Sequence, residues 1–77
     1  MKKRVLVTGG TKGIGLEVAK MMLNLDYEII VAGRDFSNFP LQNHKNVKTI
    51  TIDLSDLEAL PAFVKEVGDI DILINNA

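Results

Sequence analysis

Four of the seven residues from Gly9 to Gly15 are glycine, and they separate a β-branched run, Arg4 to Thr8, from a helical pattern. The short aliphatic run bounded by glycines reads as a buried parallel strand. From Ile14 to about Leu25, apolar residues fall at Leu16, Ala19, Met22 and Leu23, the i, i+3, i+4 spacing of an amphipathic helix, with Glu17 and Lys20 away from the core. Glycines at such a bend permit a tight turn and close backbone approach, while the helix N-terminus presents unpaired N–H groups. An anion site is one consequence. A tight strand-to-helix turn whose glycines serve only packing is the other.

The remaining pattern repeats the unit. Glu28 to Ala32 contains Ile29-Ile30-Val31, a second buried strand that Gly33-Arg34-Asp35 breaks. Between Asp35 and Asn46 no clean period exists, so only a short helical turn near Phe36 to Leu41 is expected. Val47 to Ile52 alternates apolar and polar residues, as a partly exposed edge strand would. Ser55-Asp56-Leu57-Glu58 has the form of a capping box, with Ser55 as N-cap and Glu58 at N3. Pro61 would oppose a regular helix begun there, which predicts a kink or restart, with Phe63, Val64 and Val67 as the apolar face. Gly68 should end the helix before a fourth strand, Ile70 to Ile74. The order points to an α/β fold: a four-stranded parallel sheet, order 3-2-1-4, with flanking helices, the first half of a Rossmann doubly wound fold. The glycine loop then lies at the switch point between strands 1 and 4.

Seventy-seven residues make one small domain, a size at which only about 60% of the unfolded chain's surface is buried and stability is marginal. With 47% apolar and 25% charged residues the chain has a globular balance. A net charge of −1 and a pI near 5.7 offer no concentrated basic face, so no nucleic-acid partner is expected. Lys2-Lys3-Arg4 is not followed by a signal-peptide core, no run approaches a membrane span, and there is no cysteine. The expectation is a cytoplasmic protein without a membrane partner.

Three motifs agree in order and spacing. Thr8-Gly9-Gly10-Thr11-Lys12-Gly13-Ile14-Gly15 resembles the T-G-x-x-x-G-I-G loop of short-chain dehydrogenases/reductases. Asp53-Leu54 resembles the acidic pair after that family's third strand, and Asn75-Asn76-Ala77 the start of its N-N-A-G motif. The resemblance covers essentially the whole chain, residues 1–77, as a partial NAD(P)-binding domain about the first third of a family enzyme's usual length. It implies that Gly9, Gly13, Gly15 and the backbone of Thr11, Lys12 and Ile14 hold the pyrophosphate and adjacent phosphate. It further implies that Asp53 accepts from the adenine amino group with Leu54 beside the ring, and that Asn76 and Ala77 line the adenosine ribose. Taken singly, Asp53 also reads as a capping carboxylate, and Asn75 and Asn76 as strand-end turn residues.

Nucleotide choice turns on the end of the second strand, where a carboxylate suits a ribose 2'-hydroxyl and an arginine a 2'-phosphate. Arg34 comes first, Asp35 follows, and Lys12 adds positive charge from the loop, so NADP(H) is expected over NAD(H). The resemblance implies an oxidoreductase acting on a carbonyl or alcohol, but the family's catalytic Ser and Tyr-x-x-x-Lys are not among these residues. Tyr27, the sole tyrosine, is followed four positions on by Val31, and packing is its expected role. His44 stands alone in a polar loop, Ser37 has no base partner, and Lys12 does not fit a Walker loop. The expectation is an N-terminal cofactor-binding fragment, inactive alone, whose exposed fourth strand pairs into a homodimer. A non-enzymatic oligomerising nucleotide-binding module, or a remnant with an empty loop, is the alternative.

Overall fold

The computed structural model describes residues 3–9, 13–37, 39–53 and 55–75. Strand β1 (Arg4–Thr8) leads to helix α1 (Gly13–Asn24) and strand β2 (Glu28–Gly33); strand β3 (Val47–Thr51) follows, then a 3-10 turn (Leu57–Ala59), helix α2 (Leu60–Val67) and strand β4 (Ile72–Asn75). The sheet order is β3-β2-β1-β4 and all three pairings are parallel, the topology expected from the sequence.

Alternation along the strands feeds two cores. Val5, Val7, Ile29 and Val31 point to one face with Ala19 of α1, Phe36 and Phe39; Leu16, Met22, Leu23 and Tyr27 pack against them. Leu6, Ile30, Ala32, Ile50 and Ile52 point to the other, beneath Phe63 and Val67 of α2. The sheet is thus sandwiched between two helical layers, as strands apolar on both faces require. Lys20 and Glu17 lie outside, 3.6 Å apart.

Three local expectations are corrected. Ser55 does not cap a helix: the N-cap is Asp56, whose carboxylate accepts from the Glu58 amide, and α2 restarts at Leu60. Pro61 is the reason, since beginning α2 at Leu60 puts the proline in the first turn, where its missing N–H costs nothing. Val64 is exposed, leaving Leu60, Phe63 and Val67 as the buried face. The segment after Asp35 forms successive tight turns rather than a helix among the described residues. Phe39 donates to the Phe36 carbonyl, and the two rings meet edge-to-face with centroids 5.3 Å apart. Asp35 accepts from the Ser37 amide and Pro40 has no amide to offer, so helical bonding does not propagate.

Helix α1 ends on a feature the sequence does not advertise. Asp26 adopts φ of 65°, with its amide donating to Leu23 O and the Tyr27 amide to Met22 O. This is a Schellman closure built without glycine, and it brings Tyr27 back onto the core beside Met22.

Candidate cofactor-binding site

Strand register sets the geometry. Asn75 pairs with Thr8, Thr8 with Ala32, and Ala32 with Ile50, so the carboxyl ends of all four strands lie in one row, roughly 14 Å along three inter-strand steps. The Gly9 amide donates to Ala32 O at 3.1 Å and the Ile52 amide to Gly33 O at 2.8 Å, extending the ladder one residue past the strands. Arg34 and Asp53 therefore leave the sheet side by side. On the other flank, the Thr8 hydroxyl donates to Asn75 Oδ1 at 2.9 Å and ties β1 to β4.

The glycine positions divide their work. Gly9 has φ of 67° and its amide is engaged by Ala32, so it contributes the bend. Gly13 has φ of 63°, and among the described residues outside its own helix no atom lies within 4 Å of where a side chain would begin, so conformation is what demands glycine there. Gly15 is buried in the first turn of α1, a position where the lack of a side chain lets a helix pack close to a strand. Ile14 is 76% exposed, and the first turn of α1 carries no acidic residue. The positive end of the helix dipole is therefore not neutralised by a carboxylate of that turn. Thr11 and Lys12 in the loop, Leu54, Asn76 and Ala77 lie outside the described residues.

Asp53 is exposed, and its Oδ1 accepts from both the Ser55 hydroxyl at 2.7 Å and the Ser55 amide at 3.0 Å. These two bonds hold its carboxyl below the usual range; desolvation opposes them, and the positive charge of Arg34 adds a still smaller lowering. Asp53 does not cap a helix, since the N-cap is Asp56; its carboxylate instead organises the turn that leads to the 3-10 segment. Asp69 and Asp71 lie at the opposite end of the sheet, where Arg4 donates to the Asp69 carbonyl and, through its amide, to the Asp71 carboxylate. His44 accepts from the Asn46 amide on the surface, and among the described residues no cluster of three metal-ligating side chains exists.

Gly9 and the first turn of α1, Asp53 after β3 and Asn75 at the end of β4 lie at the carboxyl ends of their strands. The family model for short chain dehydrogenases matches residues 3–77. The chain belongs to the short-chain dehydrogenase/reductase family. Among relatives of this family, the uncharacterized oxidoreductase DltE of Bacillus subtilis (strain 168) is 38% identical over 95% of this chain and 31% of its own length. L-xylulose reductase of Bos taurus is 32% identical over 97% of this chain and 32% of its own length. The solved structure of ElxO with NADP bound superimposes with a TM-score of 0.77 at 36% identity, covering all of this chain and 35% of ElxO. A further short chain dehydrogenase/reductase family protein gives a TM-score of 0.84 at 36% identity, over 97% of this chain and 33% of that one. The chain thus spans about a third of the length of the short-chain dehydrogenases/reductases it matches.

Proposed function

We propose that residues 1–77 form the NADP(H)-binding portion of a short-chain reductase or dehydrogenase acting on a carbonyl or alcohol. One observation carries this reading: the N-terminus of α1, with no acidic residue in its first turn, stands along the same end of the sheet as Arg34 and Asp53. The donor set fits a dinucleotide. Helix amides and the loop containing Thr11 and Lys12 suit a pyrophosphate, with Gly9, Gly13, Ile14 and Gly15 shaping its seat. The Arg34 fork suits a 2'-phosphate, Asp53 and Leu54 an adenine, and Asn76 and Ala77 a ribose. The NADP held by ElxO supports the phosphorylated cofactor. Titration with each nucleotide tests the choice: NADPH should bind more tightly than NADH, and the reverse order would overturn it.

A bound nicotinamide cofactor supplies hydride. The residues here bind and orient it, and Tyr27 is half-buried against the α1-side core rather than set at the strand ends. Assays with NADPH and a panel of ketones should show no turnover by this chain alone; activity above background would refute that.

The β4 edge favours a second, compatible property. Among the described residues β4 pairs only with β1, and Leu73 at its middle is 59% exposed. Unpaired backbone beside exposed aliphatic surface invites a strand from another copy, so the chain alone forms a homodimer through β4 in this reading. A monodisperse monomer in sedimentation at micromolar concentration would exclude it. An oligomerising module with an empty loop would show the dimer without nucleotide binding. The proposed compartment is the cytoplasm; no helix among the described residues is long and apolar enough to cross a membrane.

A further inference from the structure

We propose that Ser55 is a positioning residue for the adenine subsite, locking the Asp53 carboxylate through Oδ1 so that Oδ2 is left to accept from the exocyclic amino group of the ring. This rests on the cofactor reading above and adds to it a residue that the capping pattern had assigned to a helix end. Both Ser55 bonds converge on one oxygen, at 2.7 Å from the hydroxyl and 3.0 Å from the amide, and Oδ2 accepts from no described residue. A carboxylate with one oxygen tied in two directions has lost its free rotation, and its second oxygen points along one line.

The neighbouring backbone holds the same geometry. The Asp56 amide donates to the Asp53 carbonyl at 2.9 Å, and the Asp56 carboxylate is turned away to the Glu58 amide. Asp56 therefore does not compete for the Ser55 donors. The other charge acting on Asp53 is Arg34 from the end of β2, which favours the same ionised form. Asp53 is exposed, so a freely rotating carboxylate would be solvated in many orientations. Ser55 removes that freedom before a ligand arrives, which is how a surface residue gains selectivity without burial.

The chemistry selects a donor at the six position of the purine. Adenine offers an amino group there, whereas hypoxanthine presents a carbonyl oxygen that a carboxylate repels. The test compares NADPH with reduced nicotinamide hypoxanthine dinucleotide phosphate on the unsubstituted chain, Ser55→Ala and Ser55→Thr. The unsubstituted chain should prefer NADPH, Ser55→Ala should shrink that preference by about three- to tenfold, the scale of one neutral hydrogen bond, and Ser55→Thr should restore it. In the free chain, the Asp53 carboxyl followed by NMR should titrate at higher pH in Ser55→Ala than in Ser55→Thr. Normal NADPH binding with an unchanged purine preference in Ser55→Ala would overturn this inference while leaving the cofactor reading intact. Failure of the unsubstituted chain to bind either nucleotide would overturn both.

Discussion

Strands β2 and β4 are written in nearly the same alphabet, Glu-Ile-Ile-Val-Ala-Gly against Ile-Leu-Ile-Asn, yet they live in different environments. Ile29, Ile30, Val31 and Ala32 are completely buried, whereas Leu73 is 59% exposed and Ile72 and Ile74 are half-buried. Position in the sheet causes the difference. β2 has a hydrogen-bonded neighbour on each side, α1 over one face and α2 over the other. Among the described residues β4 has one neighbour, and α2 spends its apolar face on Leu6, Ile30, Ala32 and Ile50. Sequence hydrophobicity states that a strand can be buried on both faces; topology decides whether it is.

The largest expected effect breaks this contrast directly. Ile30→Ala should cost about 2–5 kcal/mol, the range for truncating a fully buried aliphatic side chain. That is enough to unfold much of a domain this small. Leu73→Ala should change stability by only about 0.5 kcal/mol in the monomer, because its side chain is already largely in water. Urea denaturation followed by circular dichroism at low protein concentration measures both, and equal costs would show that β4 is buried by something in solution. Leu73→Lys, placing a charge on the exposed edge, should reduce any concentration-dependent association in sedimentation while leaving the monomer folded.

Next in size is what the strands deliver at their ends. Arg34→Ala should weaken NADPH binding by roughly 1.5–3 kcal/mol, the scale of a hydrogen bond to a charged group, and leave NADH affinity nearly unchanged. A proportional loss for both nucleotides would mean that Arg34 does not meet the 2'-phosphate.

The strands, their order and the glycine bend were all legible because each rests on a strong local rule. Aliphatic runs of strand length bounded by glycine, and an i, i+3, i+4 helix between them, leave few topologies open. The site row was legible for the same reason: once parallel order is set, the ends of adjacent strands must be neighbours. What escaped depended on competition between local bonds. Ser55 could cap a helix or bond Asp53, and Pro61 decided the matter by refusing a helix that began at Ser55. Val64 occupies a helical position that the restart at Leu60 rotates outward. Asp26 gave no stop signal, because its left-handed backbone is imposed by Tyr27 returning to the core.

The two ends of α1 sharpen the contrast on a smaller scale, since both use left-handed backbone. Gly13→Ala meets no obstacle among the described residues but must adopt φ of 63°, so it should cost about 1 kcal/mol in thermal or chemical denaturation. Asp26→Gly relieves the strain at φ of 65° but gives up the interactions of the aspartate side chain and loosens the unfolded chain, so it should change stability by no more than about 0.5 kcal/mol. Similar responses at both ends would mean that the loop before Gly13 relaxes to accept a side chain.

The smallest effect lies at Asp53 and is read against pH. Its carboxyl is held low chiefly by the Ser55 hydroxyl, then by the Ser55 amide and Arg34. A depressed carboxyl binds its proton less readily in the folded than in the unfolded chain, so its contribution to stability is complete above the unfolded value and disappears as pH falls through the folded one. Acid titration of the folded chain should therefore find Asp53 still ionised where ordinary carboxyls have begun to protonate, and NADPH affinity should not decline on Asp53's account until pH falls below that range. A loss of affinity in step with ordinary carboxyl protonation would show that the Ser55 bonds exchange with water too freely to hold the group, and that the exposed rim of the sheet fixes its side chains less firmly than the buried centre.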